Sequence, residues 1–267
     1  MTVRYRLGPL LAGLVLLPLA GCGDDQDTLT VLAAASLADT FGELATTFEE
    51  QHPGVDVRVS FGSSTTLAQQ AADGAPGDVL ATADERAMKL AVDSGEVVGP
   101  PQVFATNSLA LVTPPDDPAG VDGVADLDRE GVDFVTCVAT APCGALARDL
   151  LADARVDRDP VSEEVDVKAV LARVVDGEAD AGIVYRSDAV GAGDQVSTAP
   201  LSGVSPVTAY PVARLSDDGL ARAFVDLVLG EQGQAVLAEA GFGRPGGPAE
   251  REESGAAESL DPEADDG

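Results

Sequence analysis

Tryptophan is absent from this sequence of 267 residues, and phenylalanine and tyrosine bring the aromatic content to only 4%. Hydrophobic residues nevertheless make up 45% of the chain. A core of this composition must be built from Val, Leu and Ala, which favours α/β layers. The chain is long enough for one large domain or two small lobes.

Positive charge is also scarce, since 16 Lys and Arg stand against 46 Asp and Glu and the formal net charge is -30. Nucleic acid is not an expected partner, because binding to the phosphate backbone needs clustered Lys and Arg. The acidity also argues against general electrostatic attraction of anions. Any anion site in this chain must therefore be local and dipolar.

Histidine occurs once, as His52, which argues against an enzyme. A serine nucleophile needs a neighbouring base, whereas His52 ends a predicted helix just before Pro53. Lys168 is the other base available to a serine, but a lone Lys beside an apolar helical run is usually solvated. The sequence contains no Gly-rich phosphate loop with its lysine and no cluster with metal-ligand spacing. A hydrolase is kept as an alternative only.

Cys22 is the first of three cysteines and follows Leu19, Ala20 and Gly21 at the end of an apolar run. The pattern predicts a lipoprotein signal peptide over residues 1–21. Cys22 would then carry lipid chains that anchor the protein to a membrane outside the cytoplasm, and residues 22–27 would form a polar leash. The alternative is a simple secretory signal followed by an ordinary cysteine.

Cys137 and Cys143 remain as an even pair in a chain expected outside the cytoplasm. The sequence predicts a disulfide between them, with two separate thiols as the alternative.

Strand and helix patterns alternate along the chain. Residues 29–34 form an apolar run of strand length, and apolar residues recur at helical spacing from Ala38 to Phe48. Similar β-α units begin at Val55 and Asp78, and such alternation implies a mainly parallel sheet covered by helices. We expect an α/β fold of two lobes. We expect residues 28–104 with 208–243 to form lobe I, residues 105–207 to form lobe II, and residues 244–267 to form a disordered acidic tail.

Hydroxyl side chains recur where strands pass into helices. Ser36 lies at the first such junction, and Ser64 lies in a run of hydroxyl residues at the second. Open α/β sheets bind ligands outside the carboxyl ends of their strands, where helix N-termini offer unpaired N–H groups. Tyr185 ends a later apolar strand. These residues predict an anion site, and the alternatives are helix caps and a core tyrosine.

The order of these segments resembles the molybdate-binding proteins of ABC importers, from about Leu29 to Phe242. No single short motif would suffice, but several occur in the same order. The resemblance is carried by residues 33–37 (AAASL), 61–67 (FGSSTTL), 74–79 (GAPGDV), 182–189 (GIVYRSDA) and 210–212 (YPV).

The resemblance implies a type II-like periplasmic-binding-protein fold that closes on a tetrahedral oxyanion between its lobes. The implied donors are the hydroxyls of Ser36, Ser64 and Tyr185 and the backbone N–H groups of Cys143 and Val167. They would contact the oxygens of molybdate or tungstate rather than ligate the metal directly, and no cofactor is implied. The implied partners are an ABC permease and its cytoplasmic ATPase, and we expect a monomer.

Two alternatives to molybdate stay open. Sulfate is also an unprotonated dianion, and only the size of the cavity separates it from molybdate. Phosphate usually needs a carboxylate that accepts the ligand's proton, for which Asp39 and Asp166 are the candidates. Besides a solute-binding protein and an enzyme, the sequence leaves open a lipoprotein that mediates protein contacts and binds no ligand.

Overall fold

The computed structural model describes residues 27–201 and 206–246. The predicted signal peptide, Cys22, most of the leash and nearly all of the acidic tail lie outside these residues. Asp27, which the sequence assigns to the leash, is the first residue of a strand. Within the described ranges, no helix combines the length and the apolar character needed to cross a membrane.

Strands and helices alternate along most of the described chain. The strands are β1 (Asp27–Ala34), β2 (Val55–Gly62), β3 (Val79–Ala81), β4 (Val98–Thr113), β5 (Phe134–Cys137), β6 (Ser162–Glu164), β7 (Ala181–Tyr185), β8 (Ser197–Ala199) and β9 (Val207–Arg214). The α-helices are α1 (Ala38–Gln51), α2 (Ser64–Ala72), α3 (Glu85–Ser94), α4 (Pro142–Asp153), α5 (Val167–Val175), α6 (Arg186–Ala192), α7 (Gly219–Leu229) and α8 (Glu231–Glu239). A 3₁₀ turn, Ala35–Leu37, joins β1 to α1.

Local sequence explains several of the helix ends. The carboxylate of Asp84 accepts a hydrogen bond from the Ala87 N–H at 2.7 Å and caps α3. Gly95 ends the same helix with a φ of 86°, a left-handed conformation that glycine adopts without strain. Asp166 caps α5 in the same way as Asp84 caps α3, through the Ala169 N–H at 3.0 Å.

Two sheets share one long strand. The first sheet has the order β2-β1-β3-β9-β4, and the second has the order β4-β7-β5-β6 with β8 on the other edge of β4. All parallel pairs among the described strands belong to the β-α units, whereas each antiparallel pair involves β4 or β9. The predicted β-α alternation therefore accounts for the parallel part of each sheet.

The strand β4 changes its neighbour in the middle of its length. Ser108 pairs with Val207 of β9, and the next residue, Leu109, pairs with Tyr185 of β7. We call the first sheet with α1–α3, α7 and α8 the first lobe, and the second sheet with α4–α6 the second lobe. The sequence predicts only the end of β4, because Gly99 and two prolines interrupt the alternation at its start.

The last described elements return to the first lobe. The strand β9 lies between β3 and β4, and α7 packs on α1. Phe224 of α7 contacts Phe41 and Phe48 of α1 with ring centroids 5.9 and 5.5 Å apart. The apolar core of this lobe therefore joins the two ends of the described chain.

Candidate functional site

A cleft of about 220 Å³ lies between the lobes, next to the carboxyl ends of β1 and β2 and the N-termini of α4 and α5. This volume includes space that is open to the solvent. All five residues that the sequence predicts as donors line the cleft. The lining residues are Ala34, Ala35, Ser36, Gly62, Ser63, Ser64, Ala83, Ala141, Pro142, Cys143, Asp166, Val167 and Tyr185.

Ser36 lies in the 3₁₀ turn between β1 and α1 and is buried. Its Oγ is 2.9 Å from the Oη of Tyr210, which is on β9. Ser36 does not cap α1, which was its alternative role. The N-cap residue of this helix is Leu37, and no side chain caps this end. The hydroxyl of Ser36 therefore belongs to the cleft and to the contact with Tyr210.

Ser64 is the first residue of α2, whose N-terminus also has no side-chain cap. The N–H of Ala83 donates to the Oγ of Ser64 at 2.9 Å. Because Ser64 is the acceptor in this bond, the hydrogen of its hydroxyl is available to be donated elsewhere. The first N–H groups of α2 have no partner within the helix, so this end also carries the positive end of its dipole.

Cys143 and Val167 occupy the first turns of α4 and α5, where backbone N–H groups lack intrahelical partners. A disulfide joins Cys143 to Cys137 at the end of β5. Gly144 follows at a place where a side chain has no room, because a Cβ atom there would be 2.1 Å from the carbonyl oxygen of Val138. The loop between the two cysteines therefore lies directly against the start of α4.

Tyr185 ends β7 at the cleft, and its side chain is almost fully buried. Its Oη has no partner in full hydrogen-bond geometry among the described residues, although the hydroxyl of Tyr210 lies near enough to interact with it. Burial, together with the nearby Tyr210, raises the pKa of the Tyr185 hydroxyl well above its usual value. This hydroxyl therefore keeps its hydrogen and is available as a donor.

The family model for bacterial extracellular solute-binding proteins matches residues 29–243 of the chain. The chain belongs to this family. This match covers both lobes and the whole of the cleft.

Individual relatives agree with the resemblance that the sequence motifs indicate. The molybdate-binding protein ModA of Mycobacterium tuberculosis is 36% identical over 230 residues, which are 85% of this chain and 88% of the relative. The ModA of Escherichia coli is 34% identical over 236 residues, with 82% and 90% of the two chains covered. The predicted resemblance to molybdate-binding proteins is thus confirmed.

The solved periplasmic molybdate-binding protein of Azotobacter vinelandii superposes with a TM-score of 0.71. It is 23% identical, and the match covers 81% of this chain and 99% of that one. At this identity the likeness concerns the fold, and it confirms the predicted two-lobed arrangement of a periplasmic binding protein.

Two polar residues behind the cleft complete the surroundings of Ser36. Asn107 of β4 donates from Nδ2 to the Oγ of Ser187 at 2.8 Å and to the Oη of Tyr210 at 3.4 Å. The sequence motifs include Tyr210 without giving it a role, and they do not include Asn107. Neither residue precedes a helix, so no local pattern of hydroxyls and helix starts would have identified them.

Contacts across the cleft also join the lobes at its rim. The hydroxyl of Thr65 on α2 donates to the carbonyl oxygen of Thr140 at 2.8 Å, and Arg86 of α3 reaches the same oxygen at 3.3 Å. Thr140 lies in the loop between the two cysteines. This loop therefore contributes both an inter-lobe contact and the helix start that carries the N–H of Cys143.

Lys168 forms a second inter-lobe contact rather than being solvated. Its Nζ lies 2.9 Å from Asp39 of the first lobe and 3.3 Å from the fully buried Asp188 of the second. Burial by itself lowers the pKa of Lys168, but the attraction of Asp188 and Asp39 outweighs this effect and the net shift is upward. Lys168 is therefore charged at neutral pH and is not a base for a serine.

His52 lies at the far end of α1 from Ser36. The helix between them has 14 residues, and a helix of that length extends about 21 Å. The ring of His52 stacks on Phe48 with centroids 4.0 Å apart, and its Nδ1 is 2.9 Å from the Phe48 carbonyl oxygen. The histidine thus has a structural role at the helix end and is remote from both cleft serines.

Proposed function

We propose that this solute-binding protein captures molybdate, and also tungstate, in the cleft between its lobes and delivers it to an ABC importer. The relatives that are 36% and 34% identical are molybdate-binding proteins, which supports the choice of substrate. The convergence of all five expected donors on one cleft supports the choice of site. In this proposal the protein binds and releases its ligand without changing it chemically.

The buried hydroxyl of Tyr185 is the observation that carries the proposal. A buried donor without a partner costs about 1–3 kcal/mol, and an oxyanion in the adjacent cleft would remove that cost. The hydroxyls of Ser36 and Ser64 and the N–H groups of Cys143 and Val167 would complete the set of donors. Molybdate and tungstate carry no proton at neutral pH, so such a set satisfies them.

No Lys or Arg is among the residues that line the cleft. The positive ends of α2, α4 and α5 would supply the attraction instead, as they do at other anion sites on helix N-termini. Asp166 is the one acidic residue in the lining, and its carboxylate caps α5. The other candidate acceptor for a ligand proton, Asp39, is paired with Lys168. This arrangement favours an unprotonated dianion over hydrogen phosphate.

Isothermal titration of the chain from residue 22 onward, with Cys22→Ala to prevent lipid attachment, tests the substrate. We expect one-to-one binding of molybdate and tungstate and much weaker binding of sulfate and phosphate. Binding of sulfate alone would replace the substrate but keep the site. If none of the four anions binds, the proposal is wrong and a protein that mediates contacts without an oxyanion ligand is favoured.

We also propose that Cys22 is the lipid attachment site, which would keep the protein at the membrane beside the permease and ATPase of its importer. A protein expressed with its full sequence should then sediment with membranes and be released by detergent. The Cys22→Ala variant is the matched control, since it should lose the anchor but keep anion binding. Recovery of the unchanged protein in the soluble fraction would contradict the anchor.

A further inference from the structure

The contact between Ser36 and Tyr210 has a defined direction, which follows from Asn107. The Oδ1 of Asn107 accepts a hydrogen bond from the N–H of Ser108 at 3.0 Å, and this fixes the orientation of the amide. Its Nδ2 therefore faces Tyr210 and Ser187, and an amide nitrogen can only donate. The oxygen of Tyr210 is consequently the acceptor in its contact with Asn107.

Tyr210 must then donate its own hydrogen to Ser36. The tyrosine is fully buried on β9, and burial raises the pKa of its hydroxyl, so the group stays protonated. Ser36 Oγ is the acceptor within hydrogen-bond distance, at 2.9 Å. Since the oxygen of Ser36 accepts from Tyr210, the hydrogen of Ser36 is directed away from Tyr210 and is available to the cleft.

The same logic already applies to the other serine in the cleft. The Oγ of Ser64 accepts from the N–H of Ala83, which leaves its hydrogen for a ligand. A backbone N–H fixes the direction in which the Ser64 hydroxyl donates, whereas the side chains of Tyr210 and Asn107 fix that direction for Ser36. The direction at Ser36 can therefore be changed by mutation without altering the backbone.

We infer that Tyr210 and Asn107 are positioning residues of the anion site, which orient the Ser36 hydroxyl as a donor and thereby disfavour ligands that carry a proton. The inference rests on the proposed function, because it assumes that an oxyanion binds beside Ser36. Neither residue is expected to touch the ligand. Without them, Ser36 could accept the hydrogen of a protonated anion as readily as it donates its own.

The Tyr210→Phe variant tests the inference, because it removes the hydroxyl and keeps the ring. That ring packs between Tyr185 and Phe242, with centroids 5.9 and 5.3 Å away. We expect the affinity for molybdate to fall about tenfold at pH 8, in line with the loss of one hydrogen bond. The affinity for hydrogen phosphate should fall less or rise. The ratio of molybdate affinity to phosphate affinity should therefore decrease at least fivefold. The affinity for sulfate, which carries no proton, should fall by a factor similar to that for molybdate.

A double-mutant cycle with Ser36→Ala separates orientation from a general structural role. If Tyr210 acts through Ser36, then Tyr210→Phe should change molybdate affinity less than twofold in the Ser36→Ala background. Asn107→Leu provides a second variant, expected to narrow the molybdate to phosphate ratio in the same direction. Thr113→Val is the control, since it removes a different buried hydroxyl, on β4, which donates to the carbonyl oxygen of Pro114.

The outcomes distinguish this inference from the proposed function. If the unmutated protein binds no oxyanion, both fail. If the unmutated protein binds molybdate but Tyr210→Phe changes neither the molybdate affinity nor the ratio of molybdate to phosphate affinity, the inference alone is wrong. A loss of affinity that is equal for all three anions and additive with Ser36→Ala shows a purely structural role and also overturns it.

Discussion

Gly144 shows how closely a single residue limits the geometry of the cleft. A Cβ atom at this position would be 2.1 Å from the Val138 carbonyl oxygen and 2.4 Å from that of Cys137. Both obstacles are backbone atoms, so the start of α4 would have to move. The N–H of Cys143 lies in this same turn, one residue earlier.

We expect Gly144→Ala to lower both the stability and the molybdate affinity of the protein. The stability loss should be in the range of about 1–3 kcal/mol that overpacking causes, and the affinity loss should exceed tenfold. Chemical denaturation and calorimetric titration measure the two effects. Gly42→Ala is the matched control, because nothing lies within 4 Å of a Cβ atom there and alanine favours the helix. Equal effects of the two substitutions would contradict the argument.

Asp188 gives a prediction about pH. Burial raises the pKa of its carboxyl from 3.8 to about 6, against the opposing attraction of Lys168. A pKa that is higher in the folded state makes a contribution to stability that is complete below about pH 4 and is lost as the pH rises through 6. Between pH 4 and pH 6, the free energy of unfolding of the unmutated protein should fall by up to about 3 kcal/mol relative to that of Asp188→Asn.

Denaturation of both proteins at pH 4, 5, 6 and 7 checks this prediction. The difference in unfolding free energy between the unmutated protein and Asp188→Asn should shrink or change sign as the pH rises. Asp39→Asn removes the exposed partner of the same lysine and serves as the comparison. A difference that stays constant over this range would show that Asp188 does not titrate there.

At the scale of elements, the loop between Cys137 and Cys143 connects several parts of the site. It carries Thr140, which contacts the first lobe, and it ends at the helix start that presents the N–H of Cys143. The disulfide closes this loop across a sequence separation of 6. Restricting the loop should stabilise the folded state and reduce the ordering required on binding.

Replacing both cysteines by serine should therefore lower the free energy of unfolding by about 2 kcal/mol. Molybdate affinity should fall severalfold, because the open loop must be ordered when the ligand binds. Reduction of the unmutated protein with dithiothreitol should have the same effect, and the variant should be insensitive to it. An unchanged affinity in both experiments would limit the disulfide to a role in stability.

The elements also show which features the sequence can reveal. The junction serines were recognisable because a strand pattern, a hydroxyl and a helix pattern follow one another along the chain. The strands β6 and β8 were not predicted, since each has three residues with little apolar character. The proposed donors at Cys143 and Val167 are backbone groups, which any residue type supplies, so only the family resemblance indicated them. The position of Asn107 behind the cleft could be recognised only from its tertiary contacts.

For the whole molecule, the formal charge of -30 opposes the approach of a dianion. No Lys or Arg lines the cleft, so in the proposed site the attraction comes from the helix N-termini and acts over a short range. Salt should then raise the association rate of molybdate, because screening weakens the long-range repulsion more than the local attraction. A site that relied on clustered Lys and Arg would show the opposite dependence.

Stopped-flow measurements between about 10 and 150 mM sodium chloride test this behaviour, since the Debye length falls from about 30 to about 8 Å over that range. We expect the association rate to rise severalfold and the dissociation rate to change little. An association rate that falls with salt would mean that a positive surface, and not the helix dipoles, guides the ligand.

The position of β9 between β3 and β4 has a consequence for the order of folding during synthesis. All strands of the second sheet precede residue 201, so the second lobe has its complete chain before β9 is made. The first sheet lacks one of its interior strands until residues 207–214 have been synthesised. Until then the facing edges of β3 and β4 have no partner strand between them. The lobe that begins the chain is therefore the last to have all of its described strands, and until then the edges of β3 and β4 are open to pairing with other chains.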